Sequence, residues 1–113
     1  MKKLLLSCFI LFSYNLSAAP TWHTAKVDRV YPLANGGFVL TFKADNATCK
    51  SNSNPKYYYV SEGKNGVTQH AIANFLSVAL VAGSSDKELT ISFDNESTTC
   101  DINRFIHQIL TSI

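Results

Sequence analysis

Three histidines, three cysteines and a run of three tyrosines are the first side chains to consider for chemistry. The histidines are His23, His70 and His107. They fall on three separate stretches of chain, without the i, i+4 spacing that puts two imidazoles on one helix face to hold a metal. A serine or cysteine nucleophile needs a positioned base, and no pattern in the chain supplies one. Asp94, Glu96 and Asp101 flank one polar stretch, but the calcium-loop pattern is absent, so they read as a solvated loop. The expectation is a non-catalytic chain with no cofactor and no metal. Asn46-Ala-Thr48 and Asn95-Glu-Ser97 are glycosylation sequons, relevant only in a eukaryotic host.

The tyrosines, Tyr57, Tyr58 and Tyr59, pose a different question. In a strand, neighbouring side chains alternate faces. Tyr57 and Tyr59 then point one way and Tyr58 the other. The favoured facing is Tyr58 in the core with Tyr57 and Tyr59 outward, where they are either ordinary exposed strand residues or a two-ring platform for a ligand; the reverse facing is the alternative.

The ends bound where such a platform would work. "MKK", then the apolar "LLLSCFILF", then the small-residue region "SYNLSAAP" read as a secretory signal peptide over 1–18, cut after Ala18. The apolar core falls short of the ~20 residues of a membrane anchor. This leaves one domain over 19–113, secreted or periplasmic, with no membrane attachment after cleavage. The net charge of +2 lies entirely in Lys2 and Lys3, so the mature chain is neutral. It lacks the basic footprint of a nucleic-acid binder.

Cys8 leaves with the signal. Cys49 and Cys100 remain, an even number in an exported chain, and are expected to form a disulfide. It would close a loop of about fifty residues, worth roughly 4 kcal/mol on chain-entropy grounds.

The elements must place these groups. "TWHTAKVDRVYPL" (21–33) reads as a strand. Asn35-Gly36 reads as a hairpin turn with both residues at positive φ. "FVLTFKA" (38–44) alternates, with Phe38, Leu40 and Phe42 on one face. A third strand begins at the tyrosine run. Thr68 is the expected N-cap and Gly83 the expected C′ residue of a helix that is apolar nearly all round, which reads as deep burial or, as the alternative, as two apolar contacts, one with its own sheet and one with a partner subunit. "ELTISFD" (88–94) and "INRFIHQIL" (102–110) read as the last two strands, though the apolar spacing of the latter also fits a short helix. The class is mostly β with one helix. The order β-β-β-α-β-β is that of a five-stranded OB-like barrel. In such a barrel the third and fifth strands pair in parallel, and a Cys49–Cys100 bond would staple that closure; an ordinary antiparallel sheet with one covering helix fits the same order but does not predict that pairing.

The predicted export segment, Trp22, the mid-chain cysteine and "FLSVALVAGSSDKELTISFD" resemble the small exported OB-fold proteins of bacteria. The resemblance extends to the B subunits of AB5 toxins of the subtilase-cytotoxin type, with "ELTIS" at the place of their V-x-I-like strand. That family implies pentamers that bind glycans. No sugar-contacting residue of the family aligns here, so none is carried over. The resulting expectation is an exported, non-catalytic binding module for a glycan or another protein, forming homo-oligomers. The alternative is a small enzyme inhibitor or protein-interaction domain, which needs no catalytic constellation.

Overall fold

The computed structural model describes residues 20–107. The expected signal peptide (1–18) and positions 108–110 of the expected last strand lie outside the described residues. The elements are β1 (Thr21–Pro32), β2 (Phe38–Phe42), β3 (Tyr58–Val60), helix α1 (Gln69–Ser84), β4 (Glu88–Phe93) and β5 (Ile102–Ile106). The five strands form one antiparallel sheet in the order β3-β2-β1-β4-β5. The predicted order of elements is therefore the observed one. Among the described residues, no helix is long and apolar enough to cross a membrane.

β1 is the spine of the sheet. Its first half, Thr21 to Lys26, pairs with β4, and its second half, Val27 to Pro32, pairs with β2. The change of partner coincides with a bulge: Val27 faces Phe42 and Arg29 faces Thr41, leaving Asp28 as the extra residue. A bulge bends the strand and increases its twist.

The turn after β1 differs from the expected type. Gly36 alone takes a positive φ, at 97°, and Asn35 does not. Gly36 N–H donates to the Leu33 carbonyl at 3.1 Å, and the Asn35 side chain accepts from Gly37 N–H at 3.0 Å. This is a turn ended by one left-handed glycine. Asn35 is spent as a side-chain acceptor, so its backbone stays in an ordinary conformation. Gly37 is needed for a separate reason. A Cβ built there would run into the Val60 carbonyl oxygen, which is backbone and cannot swing away. Gly37→Ala should therefore destabilise the protein by about 1–3 kcal/mol, the usual range for forced overpacking. Chemical denaturation checks this, and an unchanged midpoint would mean that β2 and β3 separate at low cost.

The core lies on one side of the sheet, under the helix. Phe38, Leu40, Phe42, Tyr58, Val60, Leu89, Ile91, Phe93 and Ile102 are buried there. Val39 and Thr41 are also buried, on the opposite face of β2.

α1 packs on β1, β4 and β5. Thr68 caps it as expected, its hydroxyl accepting from Ala71 N–H at 3.3 Å. Gly83 is not the terminator. The helix continues to Ser84 with Ser85 as C-cap, and the left-handed residue that follows is Asp86, at φ 57°. A Cβ at Gly83 would meet the Val27 side chain at 3.7 Å, an ordinary van der Waals contact, so packing does not require glycine there. Deep burial is also corrected. Ile72, Ala79 and Ala82 are buried, but Leu76 is only half-buried, while Leu80 and Val81 are 49% and 53% exposed. A sheet of this width covers one stripe of the helix, and the apolar arc is wider than that stripe.

Cys49 and Cys100 are disulfide-bonded, with their Cα atoms 5.7 Å apart. The bond ties the loop before β3 to the loop before β5, as the sequence leads one to expect. The parallel β3–β5 ladder does not form, and the sheet is not closed into a barrel. Only three residues of the third strand are regular. Pro55 has no N–H to offer, and Tyr57 N–H is taken by Ser51 Oγ at 3.1 Å. One backbone hydrogen bond, Tyr59 N–H to the Thr99 carbonyl at 3.1 Å, crosses the gap.

Candidate functional site

The candidate site lies on the outer face of β1, β2 and β3. Tyr58 is fully buried, while Tyr57 and Tyr59 are half-buried on the opposite side. The alternation expected of a strand thus holds across the run. The Tyr57 and Tyr59 ring centroids lie 6.3 Å apart at an interplanar angle of 64°. The register Tyr31–Val39–Tyr59 puts a third ring on the same face, and Tyr31 approaches Tyr57 to 5.7 Å. Val39 and Thr41 lie beneath these rings as a buried floor.

Arg29 borders the rings. Its Nη1 donates to the Tyr31 hydroxyl at 3.5 Å, and its Nε is 3.8 Å from Asp28 Oδ2. The Tyr31 hydroxyl, and then the Asp28 carboxylate, hold the guanidinium even further above its ordinary value. Asp28 Oδ2 also accepts from Thr41 Oγ1 at 3.5 Å. The site is a three-ring aromatic surface with a cation and a carboxylate at its margin.

Tyr31 and Arg29 are absent from the sequence reading. Simple alternation from Ala25 and Val27 runs inward through positions 29 and 31. The Asp28 bulge shifts the phase by one, so Val30 faces inward opposite Leu40 and Tyr31 outward opposite Val39. One signal in the sequence could have shown this: an arginine on the inward phase, where an unpaired charge is costly.

Tyr58 anchors the strand from below. It packs edge-on against Phe42 and Phe93 at 5.0 and 5.5 Å and stacks on His23 at 5.8 Å. Its hydroxyl accepts from Asn46 N–H at 2.9 Å. Burial pushes that hydroxyl up to about 12, against the opposing pull of the Asn46 hydrogen bond.

The histidines are not gathered. His23 is on β1, its Nε2 2.8 Å from the Ala44 carbonyl oxygen. His70 is exposed in the first turn of α1, and His107 follows β5. The Asp101 carboxylate accepts from the Thr99 and Ser97 hydroxyls at 2.9 and 3.2 Å, and Asp94 accepts from Glu96 N–H at 2.8 Å. These acids organise their own turn. Among the described residues, no group of three His, Cys, Asp or Glu side chains is arranged to hold a metal ion. The chain matches no protein-family model, no curated protein and no solved structure.

Proposed function

We propose that the protein is an exported, non-catalytic binding module of OB-like type whose outer-face tyrosines stack on the rings of a glycan. The observation that carries this reading is the convergence of Tyr31 of β1, Tyr59 of β3 and Tyr57, just before β3, on one face above a buried floor. An aromatic face is electron-rich, and the C–H groups of a sugar ring fit against it. Arg29 and Asp28 at the margin offer a donor and an acceptor for hydroxyl groups. The strand order, with its two edges drawn together by the disulfide, supports the OB-like assignment. In that fold, oligosaccharides bind on the outer strand surface. The disulfide also accords with an oxidising compartment, secreted or periplasmic. The exposed Leu80 and Val81 on α1 supply apolar surface for a homo-oligomeric contact.

A glycan array probed with residues 19–113 tests the proposal. Retention of a defined glycan class is expected, with affinity falling about tenfold in Tyr59→Ala, the equivalent of ~1.4 kcal/mol of stacking. Tyr57→Ala should act similarly, and neither should move the melting temperature by more than a few degrees. Binding that survives both substitutions would remove the platform from consideration. Gel filtration would separate an oligomeric glycan binder from a monomeric inhibitor.

A further inference from the structure

We infer that the Cys49–Cys100 disulfide sets the order of the tyrosine face, and with it ligand competence: the face is assembled in the oxidised protein and released on reduction by a dithiol. Its consequence for ligand rests on the glycan-binding reading above. Its structural part stands alone.

The inference comes from where the backbone of the two platform residues is tied. Tyr57 N–H donates to Ser51 Oγ at 3.1 Å, two residues from Cys49. Tyr59 N–H donates to the Thr99 carbonyl at 3.1 Å, the residue before Cys100. Each platform tyrosine is thus held by one of the two loops that the disulfide joins. Lys56, next to Tyr57, donates from Nζ to the Cys49 carbonyl at 2.9 Å, a third tie to the same loop. Against these, β3 itself contributes only three register pairs to β2, the fewest of any ladder in the sheet. The β1–β2, β1–β4 and β4–β5 ladders contain neither cysteine. Breaking the bond therefore acts first on the short edge strand and its loops. The other ladders, with four to six register pairs each, keep the rest of the sheet folded.

The chemistry is thiol–disulfide exchange. A thiolate of the dithiol attacks one sulfur and the Cys49–Cys100 bond breaks. The second thiol of the reductant then displaces the protein from the mixed disulfide. Two electrons and two protons end on the two cysteines, and the reductant leaves as its cyclic disulfide. Cys49 and Cys100 are 2% and 0% exposed, so exchange requires the loops to open. The bond therefore acts as a condition of assembly, met once on export, rather than as a rapid toggle.

The test compares oxidised and dithiothreitol-reduced full-length mature protein by amide relaxation in NMR, alongside the same glycan array. On reduction, order parameters at Tyr57 and Tyr59 should fall from about 0.85 to below about 0.6, while β1 and β4 keep rigid values. Array binding should fall at least about tenfold. Unchanged order at both tyrosines would overturn the inference. So would loss of order throughout the sheet, since the bond would then hold the whole fold rather than the face. A fall in order with no glycan retained by either form would support the coupling and sink the glycan reading. Ser51→Ala with the disulfide intact is the second variant, expected to loosen Tyr57 while Tyr59 stays ordered. Equal rigidity at Tyr57 in that variant would overturn the assigned tie.

Discussion

Tyr58→Ala should lower the unfolding free energy by about 3–5 kcal/mol, the range for truncating a buried aromatic to alanine. The ring is wholly buried and packs against His23, Phe42 and Phe93. Its removal would leave a cavity at the point where β3 is pinned. It would also leave Asn46 N–H without the acceptor it has at 2.9 Å. Tyr58→Phe separates the two effects: it keeps the ring and should cost about 1–2 kcal/mol, the scale of one unsatisfied buried donor. The same hydroxyl predicts a pH dependence. Its folded value of about 12 stands above its ordinary value of 10.0. A raised value means that the stabilisation is fully present below pH ~10 and is lost as pH rises from ~10 towards ~12. Tyr58→Phe should remove that component of alkaline destabilisation. Urea melts of the three tyrosine variants decide the matter. Equal losses at Tyr57, Tyr58 and Tyr59 would mean that the run is not two-faced.

Removing the disulfide should lower stability by about 4 kcal/mol, the chain-entropy value for a loop of this size. The sequence separation of the cysteines is 51 residues. With a urea slope near 2 kcal/mol per molar, the midpoint should drop by roughly 2 M. Cys49→Ala/Cys100→Ala measured beside the reduced wild type is the appropriate pair, since both lack the cross-link but only one carries free thiols. A midpoint shift under about 0.3 M in both would show that the unfolded chain is already constrained without the bond.

The alternation of the tyrosine run was legible because a period of two survives even in a three-residue strand. The order of elements and the cysteine pairing were legible too, from hydrophobic periodicity and an even cysteine count. The missed features are those where one residue serves a local purpose that its type does not announce. Asn35 acts as a side-chain acceptor instead of taking a left-handed turn position. Gly83 lies inside the last turn of the helix rather than ending it, and the left-handed position beyond the cap is taken by Asp86. Asp28 is an extra residue, so Tyr31 and Arg29 reach the outer face against the apparent phase. Barrel closure was over-read because strand order does not reveal which backbone donors a neighbouring loop will claim. Ser51 claims that of Tyr57.

The bulge at Asp28 also bears on the curvature of the whole sheet. Five strands laid flat at about 4.8 Å spacing would hold their outer members roughly 19 Å apart. Yet the Cys49 and Cys100 Cα atoms, in the loops that enter those outer strands, are separated by 5.7 Å. The sheet must therefore curl through most of a circle, and β1, which changes partner at its bulge, is where that arc is set. Deleting Asp28 would be an unusual length change: Val27, Arg29, Val30 and Tyr31 would then alternate without interruption, each on its present face. What would be lost is the bend. The two cysteines would be carried apart by a deletion distant from both in sequence, and the oxidised chain would have to strain to keep them joined.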